Sequence, residues 1–75
     1  MTAKINTLAD ALPAKIREMN ETIIPAYVSI IPVAPMTAIT VAIMRQDVHR
    51  AVEALASGDV VLMLQAYAAI KDYEA

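Results

Sequence analysis

The chain has 75 residues, with six Lys and Arg against eight Asp and Glu, so its formal net charge is −2. Charges of both signs alternate along it and there is no basic run. Nucleic-acid binding needs a positive stripe that displaces phosphate counterions, so this charge pattern argues against it. The absence of cysteine excludes disulfides, thiolate chemistry and cysteine-ligated metals.

Hydrophobic residues make up 59% of the chain, against about 45–50% in an ordinary soluble domain. A domain this small buries only about 60% of the surface that its unfolded chain exposes. One small core cannot absorb this many apolar side chains. The composition therefore predicts that a partner covers the excess, and we expect that partner to be a second copy of the chain.

The first residues carry little helical pattern. We expect residues 1–9 to be a flexible N-terminus and residues 10–75 to form a single helical domain. The first seven residues are mixed and polar, without the apolar stretch of a secretory signal. Together with the absence of cysteine, this predicts a cytoplasmic protein.

The first predicted helix covers about residues 11–31. Asp10 is expected to cap it, which places Pro13 in the first turn, where a missing N–H costs nothing. Apolar residues recur at helical spacing along it: they are Ile16, Met19, Ile23, Tyr27 and Ile30. Pro25 cannot donate to the carbonyl of Glu21, so we expect a kink at this position.

The segment Pro32-Val33-Ala34-Pro35 separates the first helix from a second, predicted over about residues 36–56. The apolar stripe of this second helix consists of Val41, Met44, Val48, Val52 and Leu55. Its solvent-facing side consists of Arg45, Gln46, His49, Arg50 and Glu53.

A short corner, Ser57-Gly58-Asp59, precedes the third predicted helix, over about residues 59–74. Gly58 suits the left-handed position after a helix end, and Asp59 suits an N-cap. So short a link predicts that the last two helices form an antiparallel αα-hairpin. The apolar stripe of the third helix consists of Val60, Met63, Leu64, Tyr67 and Ile70. The predicted fold is therefore all-α with three helices.

Two helix starts are apolar on every side, namely Met36–Met44 and Val60–Leu64. A helix that is apolar all round is buried all round, so these segments predict a homodimer interface. The candidate interface residues are Met36, Ile39, Ile43, Val61, Leu62, Met63, Tyr67 and Ile70. On the third helix, either the stripe through Met63 or the opposite face through Leu62 is left for a partner.

A membrane-associated protein is the main alternative. Residues 23–44 form an uncharged stretch of 22 residues, formally long enough to span a bilayer. Pro25, Pro32 and Pro35 argue against it, because hydrogen bonds lost in lipid are costly. A transcriptional regulator is a weaker alternative, for which the chain lacks a basic stripe.

Catalytic and metal-binding patterns are weak. His49 is the only histidine and is expected to join an exposed row of charges with Arg45 and Glu53 at helical spacing. The two serines, Ser29 and Ser57, have no neighbouring base that suggests activation. The sequence therefore predicts a non-enzymatic protein without a cofactor or metal site.

Two segments, IIPAYVSI at residues 23–30 and ALASGDVVLMLQAYAAIKDYE at residues 54–74, resemble parts of short uncharacterised proteins encoded by bacterial phages and prophages. The resemblance rests on the Pro-Ala-Tyr step and on the Ser-Gly-Asp corner. It implies a bacterial cytoplasm and a role in binding and modulating, or inhibiting, a host protein. It transfers no functional residues to this chain.

Overall fold

A computed structural model describes residues 7–75, which are helical and contain no β-strand. The elements are α1 (Leu8–Glu18), a π-helical turn (Met19–Ile23), α2 (Ile24–Ile30), α3 (Thr37–Ser57) and α4 (Val60–Ile70). The first three follow one another without interruption, so the chain forms three helical rods. This confirms the predicted all-α fold.

The first helix begins at Leu8, three residues before its predicted start. The prediction that Asp10 caps it is wrong, since Thr7 is the N-cap and its hydroxyl oxygen accepts from the Asp10 backbone N–H at 3.3 Å. The Thr7 hydroxyl in turn donates to the Asp10 carboxylate at 3.1 Å. Thr-Leu-Ala-Asp thus forms a variant of the capping box, with aspartate at the third helical position. Residues 1–6 of the predicted flexible N-terminus lie outside the described residues.

The irregularity expected at Pro25 takes the form of the π-helical turn that precedes it. The backbone N–H of Ile24 donates to the Met19 carbonyl, five residues earlier. One extra residue is thereby fitted into the helix, and Pro25 falls in the first turn of α2. A proline is tolerated there because its missing N–H is not required. The rod therefore continues to Ile30 in spite of the proline.

The three rods pack around one core. α1 contacts α3 and α4, α2 contacts α3, and α3 contacts α4. The largest side chains that are fully buried in this core are Leu12, Met19, Ile23, Met44 and Ile70. Gly58, at φ +71°, lies in the left-handed conformation predicted for it, and Asp59 caps α4. The predicted αα-hairpin of the last two helices is confirmed.

The end of the chain folds back on the other helices. α4 ends at Ile70, earlier than predicted, and a turn follows it. The Tyr73 carbonyl accepts from Lys15 Nζ at 2.7 Å, and the Tyr73 hydroxyl donates to Asp47 at 3.1 Å. These two bonds attach the last residues to both α1 and α3.

Alanines replace several predicted core residues. Ala51, Ala54 and Ala66 are buried, whereas Val52 of the predicted α3 stripe is about half exposed. Three further stripe residues are exposed in the same way: Ile30, Val60 and Leu64. Small side chains allow two helices to approach closely, and the larger ones are then displaced to the edges of the contact. These four stripe residues therefore lie outside the core of the chain.

The molecule is flat, with Cα positions that extend over 46 × 30 × 15 Å. Its radius of gyration is 13.7 Å, against about 11 Å for a compact domain of this length. A flat arrangement of helices has a thin core and a large surface. This shape explains why so many apolar side chains remain in contact with solvent.

Candidate functional site

A groove between α3 and α4 has a volume of about 480 Å³. We call it the hairpin groove. Its lining consists of Asp47, Arg50, Glu53, Ala54, Ser57, Leu62, Gln65, Ala66 and Ala69. Alanine side chains form much of its floor, so the backbones of both helices lie close to any bound group. This is the kind of surface on which another helix packs.

Most polar groups on the edge of the hairpin groove already have partners in the chain. Asp47 accepts from the Tyr73 hydroxyl, and Glu53 lies 3.4 Å from the Nε2 atom of His49. Arg50 differs from them, because no carboxylate of residues 7–75 lies within ion-pair distance of it. Arg50 could therefore form an ion pair with an acidic group of a partner.

Ser57 has a structural role at the end of α3. Its hydroxyl donates to the Ala54 carbonyl at 2.7 Å and its oxygen accepts from the Asp59 backbone N–H at 3.1 Å. Ser29 likewise donates to the Ala26 carbonyl at 2.6 Å. Both hydroxyls are therefore used to satisfy backbone groups at helix ends or within a helix.

Within residues 7–75, the Tyr73 hydroxyl is the group whose pKa clearly departs from its usual value. Its partial burial raises the pKa of Tyr73 above its usual value, and the hydrogen bond to Asp47 raises the pKa further. Both effects disfavour a negative phenolate, because it would be poorly solvated and would face a carboxylate. The phenol therefore remains a donor to Asp47 well into the alkaline range.

His49 and Glu53 form the exposed pair that their spacing predicts, and both side chains are more than two-thirds exposed. Arg45 makes no ion pair within residues 7–75. Nowhere in that part of the chain do three or more His, Asp or Glu side chains converge as metal ligands.

The eight predicted interface residues divide into exposed and buried groups. Met63 and Ile70 are buried in the core of the chain. Tyr67 is half-buried against the same core. The exposed members are Met36, Ile39, Ile43, Val61 and Leu62.

On α4, Met63 and Ile70 of the predicted stripe face the core, whereas Leu62 of the opposite face lies on the wall of the hairpin groove and is exposed. Four large side chains of the first turns of α4 are between 46% and 62% exposed. They are Val60, Val61, Leu62 and Leu64, and we call them the α4 surface.

The other exposed candidates lie on the first half of α3. α3 has 21 residues and α4 only 11, which corresponds to lengths of about 31 Å and 16 Å. Met36 directly precedes α3, and Ile39 and Ile43 lie on the exposed side of its first half, whereas Val41 and Met44 in the same stretch are buried.

The hairpin groove was not predicted from the sequence. Ala54, Ala66 and Ala69 carry no hydrophobic signal strong enough to mark them as a helix-packing site. The exposure of Val33 was also missed, since a residue between two prolines gives no periodic pattern.

Comparisons with protein families, with curated proteins and with solved structures gave no match. Within residues 7–75, no single helix combines the length and the apolar character needed to cross a membrane.

Proposed function

We propose that this protein is a non-enzymatic helical interaction module that works as a homodimer. One observation supports this proposal above the others. Among residues 7–75, eleven large apolar side chains are exposed, whereas nine are buried. Solvated apolar surface on this scale is unusual for a small monomer and typical of a subunit without its partner.

The α4 surface and the adjacent hairpin groove are the best candidates for the dimer contact. In a two-fold symmetric dimer the same patch is used by both copies, so it must be complementary to itself. Here an apolar ridge that includes Leu62 lies beside a groove with an alanine floor. The Leu62 side chain of each copy would enter the groove of the other.

The charges at the edge of the groove support the same arrangement. Arg50, which has no acidic partner within residues 7–75, lies one helical turn from Asp47 and Ala54 and beside Glu53. In a symmetric pair, Arg50 of one copy would face an acidic group of the other. Such a rim of opposite charges around an apolar centre is the usual composition of an interface.

We further propose that the dimer binds and modulates a bacterial protein in the cytoplasm. This part of the proposal is supported by the resemblance of residues 23–30 and 54–74 to short phage and prophage proteins, together with the exposed apolar surface. Recovery of one specific host protein with the wild-type chain, in stoichiometric amount, would test it.

The dimer is tested by light scattering on a size-exclusion column. We expect the wild type to have twice the 8.1 kDa mass of one chain. Leu62→Asp places a charge in a dry contact, which costs several kcal/mol, so this variant should have the mass of a monomer with its helical content retained. Gln46→Asp is the matched control, because it adds the same negative charge on the exposed polar side of α3. This variant should remain dimeric. A dimeric Leu62→Asp variant would contradict the proposed contact.

A further inference from the structure

Two carboxylates flank Arg50 on α3, about one helical turn to either side of it. Asp47 lies three residues before Arg50 and Glu53 three residues after it, and all three line the hairpin groove. Opposite charges at this spacing on a helix are close enough to pair. Within residues 7–75, however, neither carboxylate lies within ion-pair distance of the guanidinium. The free state of Arg50 therefore depends on what else its two acidic neighbours contact.

Asp47 is held by the turn that follows α4. Its Oδ2 atom accepts from the Tyr73 hydroxyl at 3.1 Å, across 26 positions of the chain. Both residues are half-buried, and Tyr73 packs against the core. A hydrogen bond to a carboxylate is stronger than one between neutral groups, and partial exclusion of water strengthens it further. This bond therefore competes well with an exposed ion pair between Asp47 and Arg50.

The backbone of Tyr73 is fixed independently of its hydroxyl group. Lys15 Nζ donates to the Tyr73 carbonyl at 2.7 Å, and the Tyr73 N–H donates to the Ile70 carbonyl at 3.2 Å. The Lys15 side chain is only 12% exposed, so its bond is shielded from solvent. Removal of the phenol hydroxyl alone would leave these backbone contacts in place and release only Asp47.

Glu53 is held less firmly than Asp47. Its partner is the Nε2 atom of His49 at 3.4 Å, and both side chains are more than two-thirds exposed. Exposed pairs of this kind contribute little free energy and exchange readily with other partners. Of the two carboxylates beside Arg50, Glu53 is therefore the one that can turn towards a second molecule.

We propose that Tyr73 is a positioning residue for the hairpin groove. By holding Asp47, it leaves Arg50 free to pair with Glu53 of the partner subunit. The inference rests on the proposed dimer and names the acidic group that Arg50 meets there. Two-fold symmetry produces this pair twice in each dimer. Without the phenol hydroxyl, Asp47 turns to Arg50 of its own chain and competes with the partner subunit.

The dissociation constant of the dimer, measured by sedimentation equilibrium at neutral pH, tests the proposal. An exposed pair at this spacing shifts an equilibrium by about twofold, and the dimer contains two such sites, so Tyr73→Phe should raise the Kd about fourfold. Arg50→Ala should raise it at least as much, and adding Tyr73→Phe to it should have no further effect. Arg45→Ala is the matched control, since Arg45 is also exposed on α3 but does not line the groove. It should leave the Kd unchanged.

Substitution of Asp47 separates positioning from a merely structural role. Asp47→Ala breaks the same hydrogen bond as Tyr73→Phe but leaves no carboxylate to capture Arg50. Asp47→Ala and the double variant Tyr73→Phe/Asp47→Ala should therefore dimerise as tightly as wild type, whereas Glu53→Gln should dimerise as weakly as Arg50→Ala. A double variant as weak as Tyr73→Phe would overturn the proposal. An Asp47→Ala variant weaker than wild type would also overturn it, because Asp47 would then be the acidic group that the partner subunit contributes.

The positioning role and the dimer fail in different ways. A wild type with the 8.1 kDa mass of one chain at every concentration would refute the dimer. The transfer of Asp47 from Tyr73 to Arg50 is then measured in the monomer, by the NMR resonance of the Arg50 Nε–H group. This resonance should shift in Tyr73→Phe and return to its wild-type position in Tyr73→Phe/Asp47→Ala. A resonance that stays unchanged in Tyr73→Phe would overturn the role of Tyr73.

Discussion

Replacing Gly58 by valine should destabilise the protein through the backbone alone. Gly58 has φ +71° and ψ +7°, and a Cβ atom built on it meets no heavy atom within 4 Å beyond its two chain neighbours. A clash of the Cβ atom with more distant residues is thus removed as a cause. The remaining cost is that of an L-residue in the left-handed conformation, about 1–2 kcal/mol, with β-branched valine at the upper end.

This cost corresponds to a measurable change in Tm. Unfolding entropy is about 2.1 cal/mol/K per residue, which for 75 residues gives a fall in Tm of about 6–13 °C. Thermal unfolding should be followed by circular dichroism at equal protein concentrations, because self-association makes Tm depend on concentration. Gly58→Asn is the control, since asparagine tolerates this conformation, and its loss should be less than half as large. An equal fall in Tm for the two variants would show that the left-handed backbone conformation of Gly58 is not the cause of the destabilisation.

Three further substitutions test the assigned roles by their effect on the free energy of unfolding. His49→Ala should change it by less than about 0.5 kcal/mol, because the imidazole and its partner Glu53 are both exposed; a large loss would mean a buried imidazole. Asp59→Ala should cost about 1 kcal/mol, since its carboxylate accepts from two N–H groups at the start of α4; no loss would show that the cap is dispensable. Tyr73→Phe should cost about 0.5–1.5 kcal/mol at neutral pH through loss of the bond to Asp47. Because burial and this bond raise the pKa of Tyr73 in the folded state, the wild type should lose stability as pH rises above about 10, where the unfolded phenol ionises first. The phenylalanine variant should lack that part of the loss, and identical pH profiles above pH 10 would contradict the shift.

Local signals predicted the helices and their connections well. Gly58 and Asp59 define the corner between α3 and α4 through conformational preference and capping, which act within a few residues. The same kind of signal was available at the first helix, where Thr7 and Asp10 have capping-box spacing, but Asp10 was assigned to the wrong position in it. The form of the irregularity near Pro25 could not be predicted, because a kink and a π-helical turn can both accommodate a proline that has no N–H to donate.

The division between core and surface was less predictable, because it depends on how closely the helices approach each other. Periodicity treats Val52 and Ala51 as competing for one stripe and favours the larger residue. The structure buries the alanine, since close packing of α3 on α4 is possible only at small side chains. This effect is not visible from one helix at a time.

Sedimentation equilibrium of the wild-type chain at micromolar concentrations tests the central claim, self-association through exposed apolar surface, most directly. We predict a single species of twice the 8.1 kDa mass of one chain, which dissociates only on dilution. A folded, monodisperse species of 8.1 kDa over the same concentration range would contradict it.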